Sequence, residues 1–314
     1  MRKLSGVSII ESKYCYNRWR VDASTVPYTV TSEVKYFSQP RDVDLYHLCG
    51  VYHKAGVPVD IIEADHKKYK ESEPYEGLLK SVSDAVSEAV KKGNGICMSN
   101  GYCLYAPAIV GGIQRAVGTG KKIGVVWIDA HSDNRIIEES KDAVRFVGIP
   151  ISSIVGQTYE EWRVNACGLK EPCYGKNVLV SDARMNDEIC NDNMQRAGIL
   201  HIDSADFENE KIWREEIGKL AERVDLIYLS VDVDILNSMY IPAYDKVVPG
   251  GHSMETVMRN IRIVMETNKV LAYSLFCVDF DHYERGGEWT YLSGMKLIAA
   301  GLDSWKYIPK LTLG

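Results

Sequence analysis

The sequence predicts an α/β fold in three layers, α/β/α, built on one parallel sheet. Three observations lead there. Eight short apolar, β-branched runs recur along the chain, amphipathic helical patterns lie between them, and two of the runs end in closely spaced carboxylates. Runs that stay apolar throughout suit strands buried on both faces of a parallel sheet, since a half-exposed strand would alternate. Strands alternating with helices imply crossover connections and helices on both faces.

The elements follow in order. The first run is GVSII (6–10), then VDIIEA (59–64), GICMS (95–99) and IGVVWID (123–129). The later four are NVLVSD (177–182), GILHID (198–203), LIYLSVD (226–232) and VLAYSLFCV (270–278). Helical spacing of apolar residues marks EGLLKSVSDAVSEAVKKG (76–93) and METVMRNIRIVMETN (254–268). Residues 66–76, rich in charge, read as a surface loop, and residues 158–176 as an irregular excursion. Neither marks a boundary, there is no internal repeat, and residues 1–314 read as a single domain.

Composition narrows the function. A chain of 314 residues, 46% hydrophobic, can bury a large core. A net charge of -6 opposes a nucleic-acid surface, which would need a basic patch. No apolar run is long enough for a membrane span, and the N-terminal residues lack a signal-peptide core. A cytoplasmic protein is expected. Its eight cysteines contain no Cys-x-x-Cys pair, so a structural zinc site is not expected and most thiols should be reduced and packed. The segment GTGKK (118–122) lacks the spacing of a phosphate loop and precedes a strand, not a helix.

The chemistry concentrates at two strand ends. Asp129, His131 and Asp133 close the fourth run, and Asp232 and Asp234 close the seventh. In extended chain, residues two apart face the same way, so each end offers a two-pronged set of ligands. Ligands in such sheets sit outside the carboxyl ends of the strands. Either motif alone could be a turn or a cap. Together they would crowd four carboxylates into one pocket, a repulsion that one or two divalent cations remove. Oxygen ligands with an imidazole suit Mn²⁺, Mg²⁺ or Fe²⁺.

WIDAHSD, LSVDVD and VPGGHSMET resemble the arginase/agmatinase/formimidoylglutamase family, the ureohydrolases. The resemblance runs from the third strand to FCVDFDHYE near Asp281. It implies an eight-stranded parallel sheet, two manganese ions per chain, a trimeric or hexameric homo-oligomer, and hydrolysis of a C–N bond in a small amidine or guanidino substrate. By this resemblance Asp129 and Asp232 bridge the metals, Asp133 completes the first site, and His131 and Asp234 complete the second. Two cations sharing a water make hydroxide available near neutral pH, and Asp133 is placed to orient it.

The chain departs from the family pattern in three places. The family's Gly-Gly-Asp-His reads Asn100-Gly101-Tyr102-Cys103, which puts Cys103 in the register of a ligand histidine. A thiolate suits Mn²⁺ less well than imidazole, so Cys103 is either a ligand that weakens or alters the first site or a small packed residue. The proton-shuttle histidine of a His-Gly-Met-Pro motif is replaced by Val147. The guanidinium-binding Glu sought after Gly250-Gly251 falls at Thr256, with Glu255 one place early. His252 could replace the shuttle or cap a helix. Arg135 could bind a substrate carboxylate or be a solvated surface cation, and Asp281 and His282 could support the metals from behind.

The resulting expectation is a metal-dependent hydrolase of non-peptide C–N bonds acting on a linear amidine or guanidino compound. A catalytically impaired homologue serving as a binding or assembly subunit is the alternative. A single-metal deacetylase is a third reading, opposed by the second carboxylate pair with Asp133.

Overall fold

A computed structural model gives the fold, with every residue described except 13, 16–18, 33–34, 37–41, 245, 279–282 and 312–314. All eight expected runs form strands of one sheet: β1 (Val7–Glu11), β2 (Val59–Glu63), β3 (Gly95–Met98), β4 (Ile123–Asp129), β5 (Val178–Asp182), β6 (Leu200–Ile202), β7 (Leu226–Asp232) and β8 (Val270–Phe276). Their spatial order is β6-β5-β4-β7-β8-β3-β1-β2, and every pairing is parallel. Position in this order explains the patterning. The central strands β4, β7 and β8 are buried at every residue, whereas the edge strands β2 and β6 are partly exposed.

The main helices are α1 (Pro74–Lys92), α2 (Ala106–Val117), α3 (Glu188–Ala197), α4 (Glu210–Arg223), α5 (Met254–Glu266) and α6 (Gly287–Ser304). They cover both faces of the sheet, α1 packing on α2 and α5 on α6. The first begins two residues before the expected start because Pro74 occupies its first position, where a missing N–H costs nothing. Leu78, Leu79, Val82, Val86 and Val90 form its buried stripe. Gly93, at φ 84°, ends it by donating to Ala89 and Val90 carbonyls. Gly111 of α2 lies against residues 167–169, where an added Cβ would stand 2.1 Å from the Cys167 carbonyl oxygen.

Residues 158–176 are more ordered than expected. They contain a short helix, Glu160–Asn165, and run into a 3₁₀ turn, Gly175–Asn177. Residues 66–76 likewise hold a 3₁₀ turn, His66–Lys68, before α1 begins. A small antiparallel sheet joins Val144–Arg145, Arg20–Asp22 and Thr29–Thr31, strands too short to leave a sequence pattern. Among the described residues no helix is long and apolar enough to cross a membrane, and Cys49, Cys97, Cys103, Cys167, Cys173, Cys190 and Cys277 are free.

Candidate metal centre

The two acidic motifs end neighbouring strands. Val231 of β7 pairs with Ile128 of β4, so Asp232 and Asp129 follow side by side. Each strand end closes with the same local device, a carboxylate oxygen accepting the amide two residues on. Asp129 Oδ1 accepts from His131 N at 2.7 Å, and Asp232 Oδ1 accepts from Asp234 N at 3.0 Å. A third bond ties the two together, from Ala130 N to Asp234 Oδ1 at 3.2 Å. His131 Nδ1 lies 3.1 Å from Asp234 Oδ2 and 3.3 Å from Asp129 Oδ1.

The chain then turns sharply. Asp133 has φ 44°, a left-handed conformation that an aspartate tolerates better than most residues. Its neighbours clamp the turn. The Ser132 amide and hydroxyl donate to Asn186 Oδ1, Asn134 Nδ2 donates to the Cys190 carbonyl, and Ile151 N donates to the Asp133 carbonyl.

Two cysteines enter from the other side. Cys103 starts the 3₁₀ turn after β3, and Cys277 follows β8 at φ 62°. Cys277 N donates to the Gly101 carbonyl at 2.8 Å, fastening these two strand ends together. Ligand atoms of Cys103, Asp232 and Cys277 lie within 4.8 Å of one another, as do those of Asp129, His131 and Asp234. The two groups thus sort into a thiol-bearing half and an oxygen–nitrogen half.

Electrostatics shows a shortage of positive charge. Asp129, Asp232 and Asp234 are buried, and Asp129 Oδ2 has no hydrogen-bond partner. Burial, then the neighbouring Asp234 and Asp133 charges, hold Asp129 well above the usual carboxylate range. Burial, then Asp234 and Asp129, do the same to Asp232. Burial pushes Asp133 up to about 7, against the pull of His131 and Cys103. Burial alone would lower His131, but its bonds to Asp129 and Asp234 push it up to about 12. Burial alone would raise Asp234, but the His131 contact and charge together with the Ala130 amide hold it below its ordinary value. One imidazolium for four carboxylates leaves a charge deficit that protons or a metal ion must fill. The unpartnered Asp129 oxygen and the hard donors beside it fit a divalent cation such as Mn²⁺, whereas the two thiols fit a softer one.

These groups form the floor of a cavity of about 760 Å³ that opens past Arg135 and Tyr244 to residues 139–148 and 246–248. The structure brings together Cys103, His131, Asp133, Asp232 and Asp234 on its wall, with Asp129 buried behind His131, and it adds Arg135. Arg135 forms an ion pair with Asp187. Val147, in the shuttle register, lines the cavity and accepts the Cys103 thiol at its carbonyl, 3.3 Å away.

Three expected site residues lie elsewhere. His252 is buried against Asp182 at the end of β5, its Nδ1 2.5 Å from Glu208 Oε1 and its Nε2 3.3 Å from Asp182 Oδ2. Two carboxylates hold the ring, so it does not line the cavity. Thr256 donates to Glu208 Oε2 at 2.9 Å, and Glu255 is exposed on the first turn of α5. The placement follows from the loop before α5. Gly251, at φ 94°, packs against Leu236, where an added Cβ would meet the carbonyl oxygen at 2.5 Å, and His252 bridges to Leu236. Asp281 and His282 lie outside the described residues.

Two cavity residues had no reading of their own in the sequence. Tyr244 is half-buried at the wall and donates to Asp234 Oδ2 at 3.2 Å. It sits in an irregular stretch with no periodic signal. Cys277 ends a strand as Asp129 and Asp232 do, and that position was its signal.

A model of the arginase family matches residues 19–300, most of the chain. The chain belongs to the arginase family. Within that family, it is 24% identical over 276 residues to an arginase of Emericella nidulans, covering 80% of this chain and 78% of that protein. It is 25% identical over 201 residues to a formimidoylglutamase of Psychrobacter cryohalolentis, covering 60% and 54%. Among solved structures, Entamoeba histolytica arginase in complex with L-ornithine superposes with a TM-score of 0.76 at 18% identity, over 96% of this chain and 99% of that one. At this identity the superposition speaks for the fold: the arginase-like α/β/α sandwich with its eight-stranded parallel sheet.

Proposed function

We propose that this arginase-family hydrolase is metal-dependent and cleaves a non-peptide C–N bond in a small amidine or guanidino compound. The observation that carries the reading is the side-by-side placement of Asp129 and Asp232 at adjacent strand ends, with a buried carboxylate oxygen left unpartnered. Asp129, His131 and Asp234 would hold one cation. Asp232 lies between the two groups and would be shared, with Cys103 and Asp133 beside the second. A divalent cation bound there supplies Lewis acidity and lowers the pKa of a coordinated water.

The chain's own residues supply the rest. Asp133, held near 7, can accept a hydrogen bond or a proton at neutral pH. Tyr244 fixes the orientation of Asp234. The carboxylate floor attracts a cationic amidine, and Arg135 on the cavity wall can pair with a carboxylate at the substrate's far end. A guanidinium contact from Glu255 or Thr256 is not part of this reading, since neither reaches the cavity.

One observation favours the alternative of a non-catalytic binding subunit. His131 is the sole imidazole among the described residues of the cavity wall, and it is engaged by two aspartates. The deciding experiment measures metal content per chain and then screens guanidino and formimino compounds for urea and ammonia release. Release that depends on added metal supports the enzyme. Stoichiometric metal with no release across the screen supports the binding subunit.

A further inference from the structure

We propose that Cys103 and Cys277, with Asp232, form a thiolate site for a zinc-type cation, beside a separate hard-ion site at Asp129, His131 and Asp234. This rests on the reading of the cavity as a metal centre, and it assigns the two halves to different ions. Cys277 carries the inference, because one thiol in a ligand register has an ordinary packing explanation and two converging on a carboxylate do not.

The geometry distinguishes these two cysteines from the others. Cys97 and Cys167 are wholly buried in the core and do not line the cavity, whereas Cys103 and Cys277 do, at 3% and 7% exposure. The Cys103 and Cys277 sulfurs and an Asp232 carboxylate oxygen all lie within 4.8 Å of one another. Asp133 lines the same cavity beside them. Two sulfurs and one carboxylate therefore meet around one point, held from behind by the backbone bond from Cys277 N to the Gly101 carbonyl. Two sulfur donors and one carboxylate supply three positions of the four-coordinate geometry Zn²⁺ prefers and leave the fourth open, and thiolates select zinc, cobalt(II) or cadmium over manganese. On binding, each sulfur exchanges its proton for the cation, so two protons leave to solvent per ion bound. The neighbouring group has no sulfur, and its Asp129, His131 and Asp234 donors suit manganese or magnesium.

The test uses the full chain, reduced and stripped of metal by chelation, titrated with Co²⁺. One equivalent should produce an intense thiolate-to-cobalt charge-transfer absorption, and Zn²⁺ should abolish it by displacement. Cys277→Ser and Cys103→Ser should each weaken cobalt affinity roughly tenfold or more and diminish the band. Asp234→Asn should leave the band in place while removing bound Mn²⁺, read by its paramagnetic resonance. Should a serine variant fail to fold, protection supplies the second measurement. Zn²⁺ should slow alkylation of Cys103 and Cys277 in the unsubstituted chain and leave exposed Cys49 unaffected. Cobalt bound without a thiolate band, a band indifferent to Cys277→Ser, or no cobalt binding would each overturn the site. A thiolate band in a chain that hydrolyses nothing would leave the site standing and remove the hydrolase reading alone.

Discussion

Asp234 on the seventh strand's end accepts the backbone amide of Ala130 on the fourth, at 3.2 Å, and its other oxygen lies 3.1 Å from His131. One side chain thus closes the gap between two motifs about a hundred residues apart in sequence. The carboxylate pairs are fixed relative to each other by a backbone contact, so the site is preorganised and removal of single ligands should not unfold it.

Asp232→Asn tests that separation. The amide oxygen can still accept from the Asp234 backbone, and one of the crowded buried charges disappears. The metal-free melting temperature should stay within a few degrees of the parent. Stabilisation by manganese, about 2.7 kcal/mol at an ion concentration about a hundredfold above Kd, should vanish together with turnover. Calorimetry with and without metal reads both. Retention of full metal loading and turnover would exclude Asp232 as a ligand.

Arginine and agmatine should be poor substrates. Thr256 is committed to Glu208, and Glu255 points to solvent from α5. Losing a buried charge-assisted contact costs about 2–5 kcal/mol, or at least about tenfold in rate if felt in the transition state. Steady-state assays that returned ordinary enzyme turnover on either compound would show that another cavity residue binds the guanidinium.

Cys103→His should raise affinity for Mn²⁺, because imidazole suits that ion better than thiolate. The cavity beside Cys103 offers room that a packed core would not. If the cysteine served only packing, the larger ring would instead destabilise the fold by about 1–3 kcal/mol with no gain in metal. Manganese titration alongside melting separates the two, and unchanged affinity with a lower melting temperature would take Cys103 out of the ligand set.

His252 makes a pH-dependent contribution to stability. Burial alone would lower its pKa, but bonds to Asp182 and Glu208 raise it above the ordinary 6.5. Arg184 faces the same Asp182, Arg259 faces Glu208, and the Phe207 ring lies tilted against the imidazole. A raised folded pKa means that the stabilisation is complete below the unfolded value and is lost as pH climbs through the folded one. His252→Gln should therefore cost about 1–3 kcal/mol near pH 6 and less near pH 9. Denaturant unfolding at both pH values checks this, and a cost that grew toward alkaline pH would refute the charged pair.

Much of the fold was legible because it is written locally. VDIIE, with its two acidic residues, is partly exposed at a sheet edge, and IGVVWID is buried throughout at its centre. Both patterns depend only on neighbouring residues. The ligand motifs were legible for the same reason, since a carboxylate accepting an amide two residues on is a property of five consecutive residues. The strands of the small antiparallel sheet were not, because two or three residues carry no period.

Cys277, Tyr244 and His252 belong to the other class. Cys277 reaches Asp232 because β8 lies between β7 and β3, an order that follows from how the helices and strands pack over the whole chain. His252 stands in the Gly-Gly-His-Ser loop expected near the pocket, yet Gly251 turns it toward Asp182 and Glu208. From sequence alone came the eight strands, the faces of the helices and the spacing of Asp129, His131, Asp133, Asp232 and Asp234, all set by short-range geometry. The tertiary structure alone decided which strand ends are neighbours, and hence that two thiols join the carboxylates while His252 does not. Strand order depends on non-local packing, to which no local period responds.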